Sequence, residues 1–175
     1  MKKKILGLAL VFTMLVSQTA YANEISWNQS LCSHEDSQLL NDDVSLAEDT
    51  VFETARGKVF STGILKISNE QNGNLFISVE TVAHKNIDKI YQTVFLDEWD
   101  ETREDWVQIQ NWEFERTKEE EESGELSSFY VEITVSGCKL NHYYRARAMH
   151  LVEWDDYMEG KATETNGVLL TDHEV

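Results

Sequence analysis

The chain has 175 residues, with 15 lysines and arginines against 32 aspartates and glutamates, and its net charge at pH 7 is −17. A charge of this sign and size repels nucleic acid and anionic membranes, so it argues against a role in binding either. The length suits one domain with its own core.

Residues 1–22 are predicted to be a removable secretory signal peptide. Three lysines (Lys2, Lys3, Lys4) precede an apolar run over residues 5–16, and Ala20-Tyr21-Ala22 matches the small-x-small pattern for cleavage between Ala22 and Asn23. The run of about 12 residues is shorter than the roughly 20 that span a bilayer, which favours cleavage over an uncleaved anchor. The mature chain would be secreted, with 12 basic and 32 acidic side chains and a net charge of −20.

Residues 23–55 are polar, acidic and weakly patterned, and we predict a flexible N-terminal arm ahead of a folded domain over residues 56–175. Both cysteines, Cys32 and Cys138, lie in the exported part. An oxidising compartment favours a disulfide between them, closing a loop of about 100 residues. Two free thiols, or bridges between molecules, are the alternative.

From about residue 56 onwards apolar and polar residues alternate with period two, and turn signals such as Asn72-Gly73 separate the runs. No amphipathic helix lies between them. The pattern predicts an all-β fold, a seven-stranded antiparallel sandwich of the immunoglobulin or fibronectin type III kind. The seven predicted strands cover residues 59–68, 75–82, 87–96, 106–115, 129–135, 143–150 and 162–170.

The sixth predicted strand contains Tyr144-Arg145-Ala146-Arg147-Ala148, which is similar to the strand of fibronectin type III domains whose tyrosine hydroxyl ties down the preceding corner. Together with Gly63-Ile64-Leu65-Lys66-Ile67-Ser68, Arg56-Gly57, Thr163-Glu164-Thr165 and Asn166-Gly167-Val168, it resembles an uncharacterised family of small secreted proteins from Gram-positive anaerobic bacteria. The resemblance covers residues 56–170. It implies secretion and a sandwich fold, and it does not indicate an activity.

Arg145 and Arg147 are expected on one face of this strand, opposite Ala146 and Ala148. We expect them to pair with carboxylates on neighbouring strands, such as Glu113, Glu115 or Glu132. A stripe that recognises anions is the alternative, less favoured in so acidic a chain.

Acidic turns over residues 97–105 and 119–122 raise the possibility of a calcium site, because Ca²⁺ prefers carboxylate and carbonyl oxygens. In a sandwich of this type, the loop over residues 116–126 and the turn over residues 155–161 emerge at the same end. The candidate ligands are Glu121, Asp155, Asp156 and Glu159. No EF-hand spacing supports them, and no other cofactor is predicted.

Trp99 lies in the acidic turn over residues 97–105, and Trp154 lies beside Asp155. Both are predicted to be exposed, as are the rings that stack on sugars in glycan-binding proteins. The spacing of Trp106 and Trp112 places both on one strand face, where at least one is expected to be the buried tryptophan of a sandwich.

No catalytic residue is predicted. The five histidines lie in no nucleophile motif, and Gly-x-Ser-x-Gly is absent from the sequence. The sequence therefore predicts a secreted non-catalytic module that binds an extracellular protein or glycan. The alternatives are a passive surface or structural component and, less favoured, a calcium-dependent binder or a secreted enzyme.

Overall fold

The computed structural model describes residues 37–55 and 58–175. The signal peptide, its cleavage site, Cys32, Arg56 and Gly57 lie outside the described residues. The strands are β1 (Leu46–Phe52), β2 (Phe60–Asn69), β3 (Leu75–Ala83), β4 (Lys89–Asp100), β5 (Asp105–Thr117), β6 (Ser128–Val135), β7 (Tyr143–Trp154), β8 (Tyr157–Glu164) and β9 (Val168–Leu169). A 3₁₀ turn, Lys118–Glu120, follows β5. Within the described ranges, no helix has the length and apolarity needed to cross a membrane.

The strands form two antiparallel sheets, one ordered β1-β2-β3-β6 and the other β5-β4-β7-β8, with β9 paired to the start of β7. Consecutive strands pair as hairpins in β2–β3, β4–β5 and β7–β8. The chain crosses between the sheets three times, from β3 to β4, from β5 to β6 and from β6 to β7. Within the sheets, β3 pairs with β6 and β4 pairs with β7. The all-β prediction is confirmed.

Nine strands are present in the described part of the chain, where the sequence predicted seven. The predicted arm includes β1, which pairs with β2 and buries Ala47, Asp49 and Val51. The prediction of an arm over residues 23–55 is therefore wrong for this strand, whose alternation is hidden because one of its buried residues, Asp49, is acidic. The last predicted strand is divided into β8 and β9, since β8 begins at Tyr157, directly after a turn at Asp155 and Asp156.

The two inner faces carry the core. One cluster of buried residues includes Leu65, Ile77, Leu96 and Tyr144, and a second includes Phe60, Ile87, Ile90 and Val152. On β7 the predicted alternation holds, because Tyr144, Ala146, Ala148 and His150 have no exposed surface while Arg145 points to the other face. Period-two patterning thus locates the core side of this strand correctly.

The faces of β5 differ from the prediction. Asp97 on β4 pairs with Gln108 and the preceding Leu96 pairs with Gln110, so Ile109 is an extra residue in the ladder. Such a bulge reverses which side chains face inwards. Trp112 accordingly packs against the core, whereas Trp106 pairs with Trp99 on the outer face. The prediction that both tryptophans share a face is wrong.

The corner before β7 has the predicted tyrosine contact. The hydroxyl of the buried Tyr144 accepts a hydrogen bond from the backbone N–H of Lys139 at 2.9 Å and donates one to its carbonyl at 3.1 Å. Burial raises the pKa of this hydroxyl, so it remains protonated and able to donate. The corner and the start of β7 are therefore held together.

A polar network lies inside the core around His150, whose ring has no exposed surface. Its Nδ1 lies 2.8 Å from Thr81 Oγ1 and its Nε2 lies 2.8 Å from Thr163 Oγ1. Gln92 Nε2 donates to Thr81 Oγ1 at 2.9 Å. Gly63 makes room for the ring, because a Cβ there would lie 2.8 Å from His150 Cδ2. Burial lowers the pKa of His150 to about 3, so the ring is neutral at ordinary pH.

Candidate functional site

The β4–β5 hairpin end carries two tryptophans in register. Trp99 pairs with Trp106 across the ladder, and their rings meet edge to face with centroids 5.3 Å apart. Two concave regions share Trp99 as a wall. One, the Trp99 hollow, measures about 490 Å³, and the other, the Glu164 cavity, measures about 330 Å³.

The Trp99 hollow combines carboxylates, cations and apolar side chains. Its lining is Glu98, Trp99, Asp100, Glu101, Thr102, Arg103, Val107, Ile109, Lys139 and His142. Glu98 Oε1 lies 2.8 Å from both Lys139 Nζ and His142 Nδ1. The Thr102 hydroxyl donates to Asp100 Oδ1 at 2.6 Å, which fixes the turn. The hollow thus presents an aromatic ring beside polar groups of both signs.

Next to the hollow, the outer face of the second sheet carries a buried ionic cluster. Asp97 accepts from Arg145 Nε at 2.9 Å and from Arg147 Nε and Nη2 at 2.7 and 2.8 Å. Arg145 Nη1 also donates to Glu164. Asp97 and Glu164 have side chains only 1% and 6% exposed. Because a buried charge is costly unless it is paired, the two arginines and two carboxylates depend on each other.

This cluster corrects two predictions. The arginines pair with Asp97 and Glu164, and not with the predicted Glu113, Glu115 or Glu132. Asp97, predicted to lie in a turn, belongs to β4, which extends to Asp100. Both guanidinium groups are also held against aromatic rings, Arg145 over Trp106 at 4.8 Å and Arg147 over Phe95 at 5.0 Å. They are thus engaged by the protein's own carboxylates and rings.

The first described residues close one side of the Glu164 cavity. Its lining is Ser37, Trp99, Glu104, Asp105, Trp106, Arg145 and Glu164. The Ser37 hydroxyl donates to the Thr165 carbonyl at 2.7 Å, and Leu40 N–H donates to the Gly167 carbonyl at 3.0 Å. A Cβ at Gly167 would lie 2.4 Å from Trp106 Cη2, so only glycine lets this backbone approach the indole so closely.

Two buried polar atoms of the cavity's lining residues have no hydrogen-bond partner in the described part of the chain. They are Trp106 Nε1, a donor, and Glu164 Oε2, an acceptor when the carboxylate is ionised. Burial raises the pKa of Glu164, although Arg145, Arg147 and a hydrogen bond from the Ser37 backbone N–H to its carboxylate oppose the rise. Unpaired buried polar atoms are uncommon, and each calls for an explanation.

The predicted calcium ligands lie at the other end of the sheet. Asp88 there accepts from Lys118 Nζ and from the Asp155 N–H, so the loop after β5 and the β7–β8 turn meet at one end, as predicted. Residues 37–55 and 58–175 contain no group of three or more His, Cys, Asp or Glu side chains able to hold a metal ion. Glu121, Asp155, Asp156 and Glu159 therefore do not form a ligand cluster.

Two of these carboxylates have other partners. Glu159 Oε2 accepts from the backbone N–H groups of Val59 at 2.8 Å and Phe60 at 3.0 Å. Burial opposes ionisation, but these two amides lower the pKa of Glu159 overall. Glu121 lies 3.8 Å from Arg116. Glu159 thus anchors the start of β2.

Trp154, the second predicted aromatic site, ends β7, whereas Trp99 lies beside the start of β7. Its ring stacks on Tyr157 with centroids 5.9 Å apart, and Lys85 Nζ lies 5.2 Å from its centroid. Its other contacts are with the second core cluster. Both Trp99 and Trp154 are half-buried, so the prediction that they are exposed holds in part.

Cys138 is half-buried and has no disulfide partner among the described residues. Burial raises the pKa of its thiol, which disfavours the reactive thiolate. Its predicted partner, Cys32, lies outside the described residues, so the bridge stays a prediction.

Comparison with known families adds one finding. A family model described as a family of unknown function, DUF6147, matches residues 35–168. The chain belongs to this family. The DUF6147 match begins before β1, so it includes the strand that the sequence prediction left in the arm, and it supports the expectation of an uncharacterised family. No curated protein matches the chain.

The sequence did not predict Glu164 as part of a site, although Thr163-Glu164-Thr165 was one of the motifs on which the family resemblance was based. Each residue of this motif has a separate partner: Thr163 meets His150, Glu164 meets Arg145, and Thr165 Oγ1 accepts from the Ala146 N–H at 3.0 Å. The motif thus joins the inner and outer faces of the second sheet.

Proposed function

We propose that the protein is a secreted, non-catalytic β-sandwich module that binds an extracellular ligand at the Trp99 end of its second sheet. The observation that carries this proposal is the position of Trp99, a half-buried ring that borders two concave regions lined by polar groups. Aromatic rings and a few convergent polar groups in a concave site are typical of binding sites. Secretion rests on the predicted signal peptide.

Within this proposal, the fold is an immunoglobulin or fibronectin type III-like sandwich with an added edge strand. Strands β2–β8 number seven, and the three crossings between the two sheets give the Greek-key connection of that class. The Tyr144 corner supports the same assignment, because its hydroxyl bonds the backbone five residues upstream. In such sandwiches, loops at one end of the sheets commonly bind the ligand.

A hydrolase is the alternative that the Trp99 hollow raises, since Glu98 holds His142 Nδ1 as a carboxylate holds the histidine of a catalytic triad. Glu98 Oε1 is shared with Lys139, however, and the Thr102 hydroxyl, which also lines the hollow, donates to Asp100. Neither arrangement activates a nucleophile, so we favour binding over catalysis.

The test is a binding screen against surface glycans and proteins at moderate salt, because a net charge of −20 attracts cationic partners non-specifically at low salt. We expect a ligand whose affinity falls about tenfold or more in Trp99→Ala, in line with the loss of a central aromatic contact. Trp154→Ala, at the opposite end of the sheet, is the matched control and should bind normally. Equal binding by both variants and the native protein would exclude the Trp99 end. Absence of any specific ligand would favour the structural role.

A further inference from the structure

We infer that the outer face of the first sheet is a docking surface for a short basic segment of another protein. This inference is independent of the proposed function, because Trp99 belongs to the second sheet. On β1, β2 and β3 the buried side chains alternate with others that point away from the core and form this outer face. Leu46, Phe52 and Tyr130 on this face are 51%, 66% and 52% exposed, so the described part of the chain leaves it uncovered.

The strand register arranges the outer face in four rows that run across β1, β2, β3 and β6. The first row includes Leu46 on β1 and Phe76 on β3. The fourth row includes Phe52 on β1 and Val82 on β3. Side chains two positions apart on a strand are separated by about 7 Å, so these two apolar rows lie about 20 Å apart.

The two middle rows carry the charged groups of this face. The second row contains Glu48, Lys66 and Glu132, and the third contains Glu80 beside Tyr130. Lys66 Nζ lies 2.7 Å from Glu48 Oε2, and the Tyr130 hydroxyl donates to Glu132 Oε1 at 2.8 Å. Glu80 has no ion pair or hydrogen bond within residues 37–55 and 58–175. As described, the two rows hold three carboxylates and one ammonium group, a net charge of −2.

Charge complementarity selects a basic partner for this face. A surplus of carboxylates attracts arginine and lysine, and a guanidinium group can pair with a carboxylate through two hydrogen bonds. The exposed ring of Tyr130 adds a surface over which such a cation can lie. A second copy of this chain would bring the same surplus of carboxylates to the contact, so it would be repelled.

The size of the face favours a short segment over a folded surface. The face measures about 20 Å along the strands and about 20 Å across the four of them, which is about 400 Å². A stable interface buries about 800 Å² on each partner. The expected partner is therefore an extended stretch of a few residues, and the contact is transient.

The order of the rows predicts the pattern of that segment. An extended peptide lying along the strands presents every second side chain to the face, at the same spacing of about 7 Å as the rows. The pattern apolar-x-basic-x-basic-x-apolar then places an apolar side chain over each end row and a cation over each middle row. Arginine is preferred to lysine, because its planar group pairs with carboxylates and stacks on aromatic rings.

The experiment adds the peptide Ac-Leu-Ser-Arg-Ser-Arg-Ser-Leu-NH₂ to the ¹⁵N-labelled mature chain at about 0.15 M salt and follows the backbone amide resonances by NMR. Ac-Leu-Ser-Gln-Ser-Gln-Ser-Leu-NH₂ lacks the charge. Ac-Arg-Ser-Leu-Ser-Leu-Ser-Arg-NH₂ keeps the composition but exchanges the basic and apolar positions. We expect saturable shifts in the first sheet, centred on Glu80 and Tyr130, and affinities about fivefold or more lower for the two comparison peptides.

Two pairs of variants locate the contact. Glu80→Gln should weaken binding of the arginine peptide about 3- to 10-fold, whereas Glu113→Gln, which removes the same charge from an exposed position on β5 in the second sheet, should leave it unchanged. Phe52→Ser should weaken binding about threefold or more, whereas Tyr157→Ser, at an equally exposed ring on β8, should not. Thermal unfolding establishes that each variant is folded.

Several results would overturn the inference. Shifts that spread over the whole surface without saturating, or no shifts at all, would reject the docking surface. Equal binding of the uncharged peptide would reject the charge argument, and equal binding of the exchanged peptide would reject the row order. Shifts confined to the Trp99 end would assign basic ligands to the site of the proposed function instead. If the same amides shift with protein concentration alone, a second copy of the chain occupies the face.

Discussion

Acidification should weaken the fold through His150. In the unfolded chain the imidazole has a pKa near 6.5, and in the folded protein burial lowers it to about 3. Below pH 6.5 the imidazole of His150 therefore becomes protonated in the unfolded state but stays neutral in the folded state. Stability is lost as the pH falls from 6.5 towards 3, at about 1.4 kcal/mol per pH unit. Between pH 7 and 5 the loss is about 2 kcal/mol.

The neighbours of the ring do not offset this effect. The groups that contact it are the hydroxyls of Thr81 and Thr163, the backbone of Gly63 and, at 6.4 Å between centroids, the ring of Phe60. None of them carries a charge that would stabilise an imidazolium. Carboxylates whose pKa is lowered, such as Asp88 beside Lys118, add their own loss of stability only at lower pH.

The assay is urea unfolding at pH 7, 6 and 5 at fixed ionic strength, together with the ¹³Cε1 shift of His150 over the same range. In His150→Gln the free energy of unfolding should be lower at pH 7 but should change by about 2 kcal/mol less between pH 7 and 5. His173→Gln, whose side chain is 66% exposed, is the control and should keep the native pH dependence. A His150 resonance that titrates near pH 6.5, or identical slopes for the native protein and His150→Gln, would refute the reasoning.

Three substitutions test other parts of the fold by thermal and urea unfolding. Tyr144→Phe removes both hydroxyl contacts with Lys139 and should cost about 1–3 kcal/mol. Asp97→Asn leaves two arginines short of a buried negative charge and should cost about 3–5 kcal/mol, whereas Asp105→Asn at the exposed start of β5 should cost almost nothing. Gly63→Ala places a methyl group against the histidine ring and should cost about 1–3 kcal/mol.

Each expectation can fail distinctly. If Tyr144→Phe has the same free energy of unfolding as the native protein, the corner is held by packing alone. Equal effects of Asp97→Asn and Asp105→Asn would mean that the ionic cluster adds nothing beyond surface charge. An unchanged Gly63→Ala protein would mean that the two sheets separate easily at the histidine.

The sequence predicted the all-β class and the core face of β7, because a strand with one buried face carries a clear period-two pattern. It failed where that pattern is interrupted. The extra residue Ile109 reverses the faces of β5, and no residue type announces such a bulge. Strand β1 was hidden because its buried Asp49 is charged, and an acidic residue is ordinarily evidence against burial.

For the candidate site, adjacency to an acidic turn was enough to single out Trp99. Asp97 and Glu164 could not be recognised in the same way, because their role depends on pairing between β4, β7 and β8. The calcium ligands were predicted from the acidic residues alone. Sequence showed acidic residues at one end of the sandwich, but it could not show that the carboxylate of Glu159 is already bonded to the backbone of β2.

The contact between Ser37 and Thr165 joins residues 128 positions apart in the chain. Closing so long a loop is entropically costly, so this contact is expected to form after the sheets have assembled. Removing it with Ser37→Ala should therefore speed unfolding and leave the refolding rate nearly unchanged, which stopped-flow measurements can show. We therefore expect this wall of the Glu164 cavity to be completed late in folding and to open before the two sheets separate.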